Sequence, residues 1–408
     1  MVYPVENYLQ MCNKYPEVSR FIILKINAQR RGITFSSKAL AQVDKQKHQV
    51  KQRSFSRESN SVVPVSIMLR DGTSIVARPP GKNRHDSEPP LLVDLIDDKL
   101  FLSDSGIALE EVSFWEKPLY YEYHTSSGKP MWQIASARPQ RLDINPYQFC
   151  DFWKSSPGGC KFCEISSTFS RCSKPVMLDI RDITETVSKA LEEKGRYSMI
   201  MLTGGANLSG DIFLNNEVYY YAKILKEIGG LFSVQKFPSQ LLGLAYTEEQ
   251  LKYLYEETGL MSFTANLEVL DKELFKWICP GKSKYISYEL WKERLYQAVD
   301  IFGKGYVNTG IVGGVEFAAP FGYTSEDIGL ERTLREAEEL MQHGVSVVSC
   351  VWRIAQGSIF CNQKAPSLEY YIRLSKGLDI LRRKYGLVNE MDDYRRCGNH
   401  PDTDLGRI

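Results

Sequence analysis

From about residue 141 to residue 385 the chain alternates short apolar runs with amphipathic stretches, and no other feature limits its fold as much. Strands are expected at 142–144, 198–202, 231–234, 261–265, 306–312 and 345–351. Helices are expected at 180–194, 213–228, 246–256, 285–302, 325–343 and 367–385. Gly229-Gly230 and Gly344 stand where glycines close helices. Strand–helix units in succession imply parallel strands joined by right-handed crossovers. Six such units, rather than eight, fit an open α/β architecture: a partial (β/α)6 TIM-like barrel. Its chemistry would lie on the loops at the C-terminal ends of the strands.

The rest of the chain reads differently. Residues 40–60 are polar and charged, as a linker is, so 1–61 is expected to be an N-terminal segment and linker. Residues 62–140 hold short apolar runs broken by turn residues (RDG, PPGK, SDSG), which suggests a small strand-rich N-terminal domain. The barrel would follow over 141–386, with a short C-terminal tail at 387–408. With 51 basic and 50 acidic residues, and no basic region interleaved with aromatics, composition argues against nucleic acid as partner. No run approaches the roughly 20 apolar residues of a membrane span, and the N-terminus lacks the apolar core of a signal peptide. A cytoplasmic protein with no membrane partner is expected.

Cytoplasmic cysteines stay reduced, and clustered ones bind metal or do chemistry. Of nine cysteines, three are clustered: the run DINPYQFCDFWKSSPGGCKFCEI sets Cys150, Cys160 and Cys163 in a C-x9-C-x2-C pattern directly after the first expected barrel strand. A two-residue gap lets one turn aim Cys160 and Cys163 at a common group, and Gly158-Gly159 supplies permissive backbone for it. Three thiolates on a 4Fe–4S cluster would leave one iron open for a further ligand. A zinc site or unrelated buried cysteines would also account for the pattern.

At these residues the sequence resembles the radical S-adenosylmethionine (SAM) superfamily, which carries three cluster cysteines after the first strand of a partial (β/α)6 barrel. Phe162 fills the family's aromatic slot before the last cysteine, whereas the nine-residue gap departs from the usual C-x3-C-x2-C. The resemblance, spanning residues 142–385, implies a 4Fe–4S cluster on Cys150, Cys160 and Cys163, with SAM bound beside it. Gly204 and Gly205 match the glycines whose backbone holds the methionine end of SAM, with Ala206 where an acidic residue is usual. From Phe263 onward the sequence is most like the biotin-synthase-like branch. By that match the tripeptide Asn266-Leu267-Glu268 brings Glu268 to the ribose, Arg294 pairs with the SAM carboxylate, and Gly310, Ile311 and Val312 pack on adenine. Val307 stands where biotin synthase has a cluster cysteine, so biotin formation is not implied.

The implied activity is reductive cleavage of SAM to a 5′-deoxyadenosyl radical, which takes hydrogen from a small-molecule substrate in cofactor or natural-product biosynthesis. Electrons would come from a reductant such as flavodoxin or ferredoxin. Asn308, Cys350, Trp352 and Arg353, on the last two strands and their mouth, are the candidate substrate contacts. An auxiliary cluster on Cys350, Cys361 and Cys397 is a further option, and Cys279 is expected to be structural. Action on a peptide or RNA, or a non-catalytic iron–sulfur or zinc scaffold, are the rival readings.

Overall fold

The structure is a computed structural model that describes residues 4–50, 63–78, 88–138, 140–171, 175–388 and 400–405. Cys397, residues 51–60 of the expected linker and most of the expected tail lie outside the described residues.

Two helices, α1 (Pro4–Lys14) and α2 (Arg20–Arg31), open the chain, and β1 (Ile33–Phe35) and α3 (Ser37–Ala41) follow. β2 (Ser66–Leu69), β3 (Ser74–Val76), β4 (Leu91–Ile96), β5 (Lys99–Asp104) and β6 (Ile107–Phe114) complete a six-stranded sheet of order β1-β4-β5-β6-β2-β3. It is antiparallel except where β1 runs parallel to β4. The sheet thus draws a strand from before residue 62. Helix α2 buries Ile22, Ile23, Leu24, Ile26 and Ala28, more than one apolar stripe, because it is packed on several sides.

The second sheet has seven strands in chain order. A short helix α4 (Met131–Ile134) leads into the edge strand β7 (Ala135–Arg138), which pairs antiparallel with β8 (Arg141–Ile144). β9 (Met199–Leu202), β10 (Phe237–Gly243), β11 (Leu260–Ala265), β12 (Val307–Gly313) and β13 (Val345–Val351) then join in sequence, all parallel. The sheet stays open, with β7 and β13 as its edges. Helices α6 (Ile180–Leu191), α7 (Asn215–Gly229), α8 (Glu248–Thr258), α11 (Tyr288–Phe302), α12 (Glu326–Gln342) and α13 (Leu368–Lys384) intervene or follow, and the described chain ends in α14 (Pro401–Asp404). The result is a mixed α/β protein with a curled, half-barrel sheet. Side-chain caps start these helices where the sequence supplies them: Asp179, Ser287, Ser325 and Ser367 each accept a first-turn N–H, and Thr247 with Gln250 forms a full capping box.

Two sequence expectations are corrected. The third strand is not at 231–234, where the chain turns in the open, but at β10. There Pro238 removes a ladder donor and the register shifts between Phe237 and Gln240, so the run FPSQLLG does not read as a strand. At the end of α7, Gly229 is helical and Gly230 keeps right-handed geometry (φ −62°), so neither is a left-handed cap. Gly344, at φ +87°, is one.

The core faces of the sheet follow from alternation. Phe263 on β11 stacks against Phe302 of α11, so its neighbour Thr264 faces the barrel interior. Asn308 and Ser346 stand in register with Thr264 across β12 and β13, giving the interior a polar layer, with Gln240 donating to Thr264 Oγ1 at 2.8 Å.

Candidate active site

The loop after β8 carries the cysteines, and it is sewn to the turn after β9. Gly205 N–H donates to the Tyr147 carbonyl (3.1 Å) and Asp151 N–H to the Ala206 carbonyl (2.9 Å). This close approach requires the paired glycines. A Cβ on Gly205 would lie 1.9 Å from the Phe149 oxygen, and one on Gly204 2.5 Å from the Tyr147 oxygen. Asp151 tightens the junction, accepting from Tyr147 Oη (2.7 Å) and Leu208 N (3.0 Å).

The loop continues through a 3-10 turn at Asp151–Lys154 to Gly159, whose Cα faces the Trp153 indole too closely for any side chain. Cys160, Phe162 and Cys163 then lead into α5 (Ile165–Arg171). Cys163 N–H closes the two-residue turn on the Cys160 carbonyl (3.0 Å). The three thiols interact. Burial, and then the neighbouring Cys160, push the Cys150 thiol up to about 11. Burial, with Cys160 and Cys150, pushes Cys163 up to about 12. Cys160 is raised first by a side-chain bond with Cys279 and then by burial. Metal binding would therefore release protons from all three.

These donors fit an iron–sulfur cluster: three partly buried thiols on one loop, adjacent to a turn of bare backbone. No group of three His, Cys, Asp or Glu side chains among the described residues gathers closely enough for a single metal ion. A four-iron cluster makes a different demand, because each thiolate takes its own iron.

On the far side of the mouth, β11 runs into Asn266-Leu267-Glu268. Glu268 has φ +69°, a conformation costly for a non-glycine residue. It is held there by bonds from its own N–H to the Gly310 carbonyl (3.0 Å) and from Val312 N–H to its carbonyl (2.8 Å). Its carboxylate accepts from Lys282 Nζ at 2.7 Å. Asn266 uses its side-chain oxygen to accept from Gly310 N–H (2.8 Å), and its carbonyl accepts from Lys282 (2.9 Å). Lys282 is buried over the Trp291 ring. Burial lowers its pKa, but Glu268, Cys160 and Cys279 reverse this and leave the ammonium firmly charged.

Arg294, on α11, donates to the Ala245 carbonyl at the end of β10 (2.7 Å). On β12, Val312 shares the interior face with Asn308, and alternation sets Ile311 on the other. Asn308 is buried, with neither amide atom hydrogen-bonded. Cys350 pairs in register with Val312. Trp352 is buried against Phe360 rather than open at the mouth. Arg353 pairs with Glu164, the residue after Cys163, at 3.1 Å. The loop after β13 lies on the cysteine loop: Phe360 N–H donates to the Lys161 carbonyl (3.1 Å), and Gly357 packs on Ser167.

Sequence reading missed the segment from α9 (Lys272–Ile278) into α10 (Pro280–Tyr285). It brings Cys279 onto Cys160 and Lys282 onto Glu268, and Lys161 N–H donates to the Ile278 carbonyl (2.9 Å). The signal was ICPGK, a proline at the start of a short helix. A cavity of about 580 Å³ opens beside Cys163 and Gly204, walled by Tyr147, Phe169 and Trp132 and by Gln49 from the N-terminal part of the chain. No helix of the described residues is long and apolar enough to cross a membrane.

No family model matches the chain. It is 30% identical over 131 residues to the bacteriochlorophyllide c C-7(1)-hydroxylase of Chlorobaculum limnaeum, a match covering 32% of this chain and 30% of that protein. The chain thus aligns with less than a third of the curated relative's length. Among solved structures it is similar to the FeFe-hydrogenase maturase HydG from Carboxydothermus hydrogenoformans (14% identity, 62% of this chain and 54% of that one, TM-score 0.44). It is also similar to a radical SAM methyltransferase from Sphaerobacter thermophilus (14% identity, 66% and 72%, TM-score 0.42). A third likeness is to the cobalamin-dependent S-adenosylmethionine radical enzyme OxsB (13% identity, 76% and 48%, TM-score 0.35).

Proposed function

We propose that this chain is a radical SAM enzyme built on a partial (β/α)6 barrel, with Cys150, Cys160 and Cys163 holding a 4Fe–4S cluster. The observation that carries this reading is the junction of the three-cysteine loop with the Gly204-Gly205 turn at the C-terminal ends of the first two parallel strands. When bound, the cluster and SAM together supply a 5′-deoxyadenosyl radical that takes hydrogen from the substrate.

The chain's own residues bind, orient and exclude. The turn at Gly204-Gly205 leaves backbone free of side chains for the methionine end of SAM. Glu268, pinned in its strained conformation and charge-balanced by Lys282, offers two acceptor oxygens to the ribose hydroxyls. Val312 and the Gly310 backbone give adenine an apolar seat, and Arg294 is placed near the mouth for the carboxylate. The loop after β13, tied down through Arg353–Glu164, screens the cysteine loop from water.

The substrate is read as a small molecule. The stretch shared with an enzyme named for hydroxylating bacteriochlorophyllide c supports that over a macromolecule. The cavity beside Cys163 and Gly204 has the size of a small-molecule site. A flavodoxin- or ferredoxin-like reductant would deliver the electron.

The test is anaerobic incubation of the reconstituted chain with SAM and dithionite, measuring 5′-deoxyadenosine against a Cys150→Ala control. Formation by the wild type alone is the expected result. A wild type that assembles no four-iron cluster sinks the reading.

A further inference from the structure

The cavity beside Cys163 and Gly204 extends along β7, where Ser136 and Arg138 line it. Two arginines meet there over one carboxylate. Arg141 donates to Asp143 through Nε (2.6 Å) and Nη2 (3.3 Å), and both side chains are buried. Arg138 reaches the same carboxylate through Nε alone, at 3.3 Å, and its side chain stays 29% exposed. Arg141 is the closer partner and neutralises Asp143, so one positive charge is left over on the cavity wall. Among the described residues nothing accepts from the terminal nitrogens of Arg138. Glu164, the acid on the same wall, is engaged by Arg353 at 3.1 Å. Two buried acceptors on the wall also lack a donor. Gln49, 3% exposed, donates through Nε2 to Tyr121 Oη (2.7 Å) and to the Ala137 carbonyl (3.3 Å), and its Oε1 has no partner among the described residues. Gln148, on the cysteine loop, likewise keeps an unpartnered Oε1. Leaving such acceptors unmatched is costly, and a ligand that brings N–H or O–H groups removes the cost. Trp132, Tyr121 and Phe169 add aromatic surface to the same wall.

We propose that Arg138 anchors a carboxylate of the substrate, and that the substrate is a small aromatic acid bearing hydroxyl or N–H donors. The inference deepens the proposed function and rests on it, since it seats the acid in the cavity that reaches the cysteine loop. A single excess charge suits a monoanionic carboxylate better than a dianionic phosphate, and the guanidinium fork matches two carboxylate oxygens. Arg138 pairs in register with Arg141, the first residue of β8, so its backbone lies about 10 Å down that strand from the cysteine loop. The acid end is thereby held away from the cysteines, and the remainder of the molecule extends toward Cys163 and Gly204. The grip that sequence suggested for Arg353, beyond β13, passes to an arginine on the opposite edge of the sheet.

The experiment uses the reconstituted full chain and a panel of hydroxybenzoates and indole carboxylates, each matched with its carboxamide and with the corresponding aryl phosphate. Binding is titrated by ligand-observed NMR for wild type, Arg138→Gln and Arg138→Lys, and unfolding midpoints check that the variants fold. In the wild type the acids should bind about tenfold more tightly than the amides or phosphates, the scale of one hydrogen-bonded charge. Arg138→Gln should abolish that preference, and Arg138→Lys, which keeps the charge without the fork, should retain part of it. Equal binding of acids and amides by the wild type overturns the proposal, as does an absence of binding by the whole panel. So does a preference for the phosphates, or an acid preference that survives in Arg138→Gln. If Arg138→Gln unfolds early, Arg138→Lys decides, and undiminished acid affinity there is the overturning result. A wild type without any cluster would instead overturn the functional reading, and iron content measured on the same samples separates the two failures.

Discussion

At the scale of single residues, the site depends on groups whose roles are steric as much as chemical. Gly204 and Gly205 were legible as a strand-end pair, but the reason for them was not. Sequence spacing cannot show that Phe149 and Tyr147 carbonyls occupy the space of their missing side chains. Gly205→Ala should therefore displace the Cys150 loop, at a cost of about 3 kcal/mol by analogy with overpacked cores. The expected result is a lower denaturant midpoint together with less than one cluster per chain after reconstitution. Full iron loading at wild-type stability would mean that the two loops are not interlocked. Cys160 and Cys163 were readable for the opposite reason: a two-residue gap forces proximity whatever the fold. The neighbouring Cys279, 116 positions further on, is brought in only by tertiary packing of a two-helix segment too short to show periodicity.

At the scale of elements, the parallel strands β9, β11, β12 and β13 were legible because nearly all their residues are buried and their sequences are runs of apolar and small residues. Strand β10 was not, since its interior face carries polar Gln240 and its second residue is a proline. The helix after β9 shows what periodicity hides. Glu217 sits in the first turn of α7, where an acid is ordinary, yet its carboxyl is buried and accepts from Asn207 N (2.6 Å) and Tyr246 Oη (2.7 Å). Burial outweighs those bonds and raises it from an ordinary 4.5 to about 7. The native state then binds more protons than the unfolded chain between these values, so stability is intact below 4.5 and falls as pH rises toward 7. The loss from this group amounts to about 3 kcal/mol. Glu217→Gln mimics the protonated carboxyl with one donor and one acceptor. Its unfolding free energy should match the wild type near pH 4.5 and exceed it near pH 8. Parallel pH profiles for the two proteins would show that the carboxyl does not titrate in this window.

At the scale of the molecule, an open sheet leaves two edges that must be covered. The N-terminal part of the chain reaches both: Gln49 Nε2 donates to the Ala137 carbonyl on β7, and Arg78 Nη1 donates to the Val351 carbonyl at the end of β13, each at 3.3 Å. The far edge is fastened a second time by the last described helix. Asp402 on α14 accepts from Ser349 N on β13 (3.2 Å) and from Arg382 Nη1 on α13 (2.6 Å), and both charged side chains are essentially sealed from water. No periodicity announces a four-residue helix, which is why the sequence predicts none in the tail. Removing one member leaves the other charge buried alone, which costs about 3–5 kcal/mol, whereas replacing both with apolar groups of similar volume is close to neutral. Asp402→Ala should therefore lower the free energy of chemical unfolding by that amount, and the double variant Asp402→Leu with Arg382→Met should regain most of it. Because β13 leads directly to Trp352 and Arg353, the single variant should also loosen the loop that covers the cysteines, and hydrogen exchange at residues 353–363 reads that motion. If Asp402→Ala unfolds like the wild type and exchange there is unchanged, the tail does not brace the mouth. If stability falls while exchange at the loop stays slow, the brace acts on β13 alone, and the Arg353–Glu164 pair is sufficient to hold the cover in place.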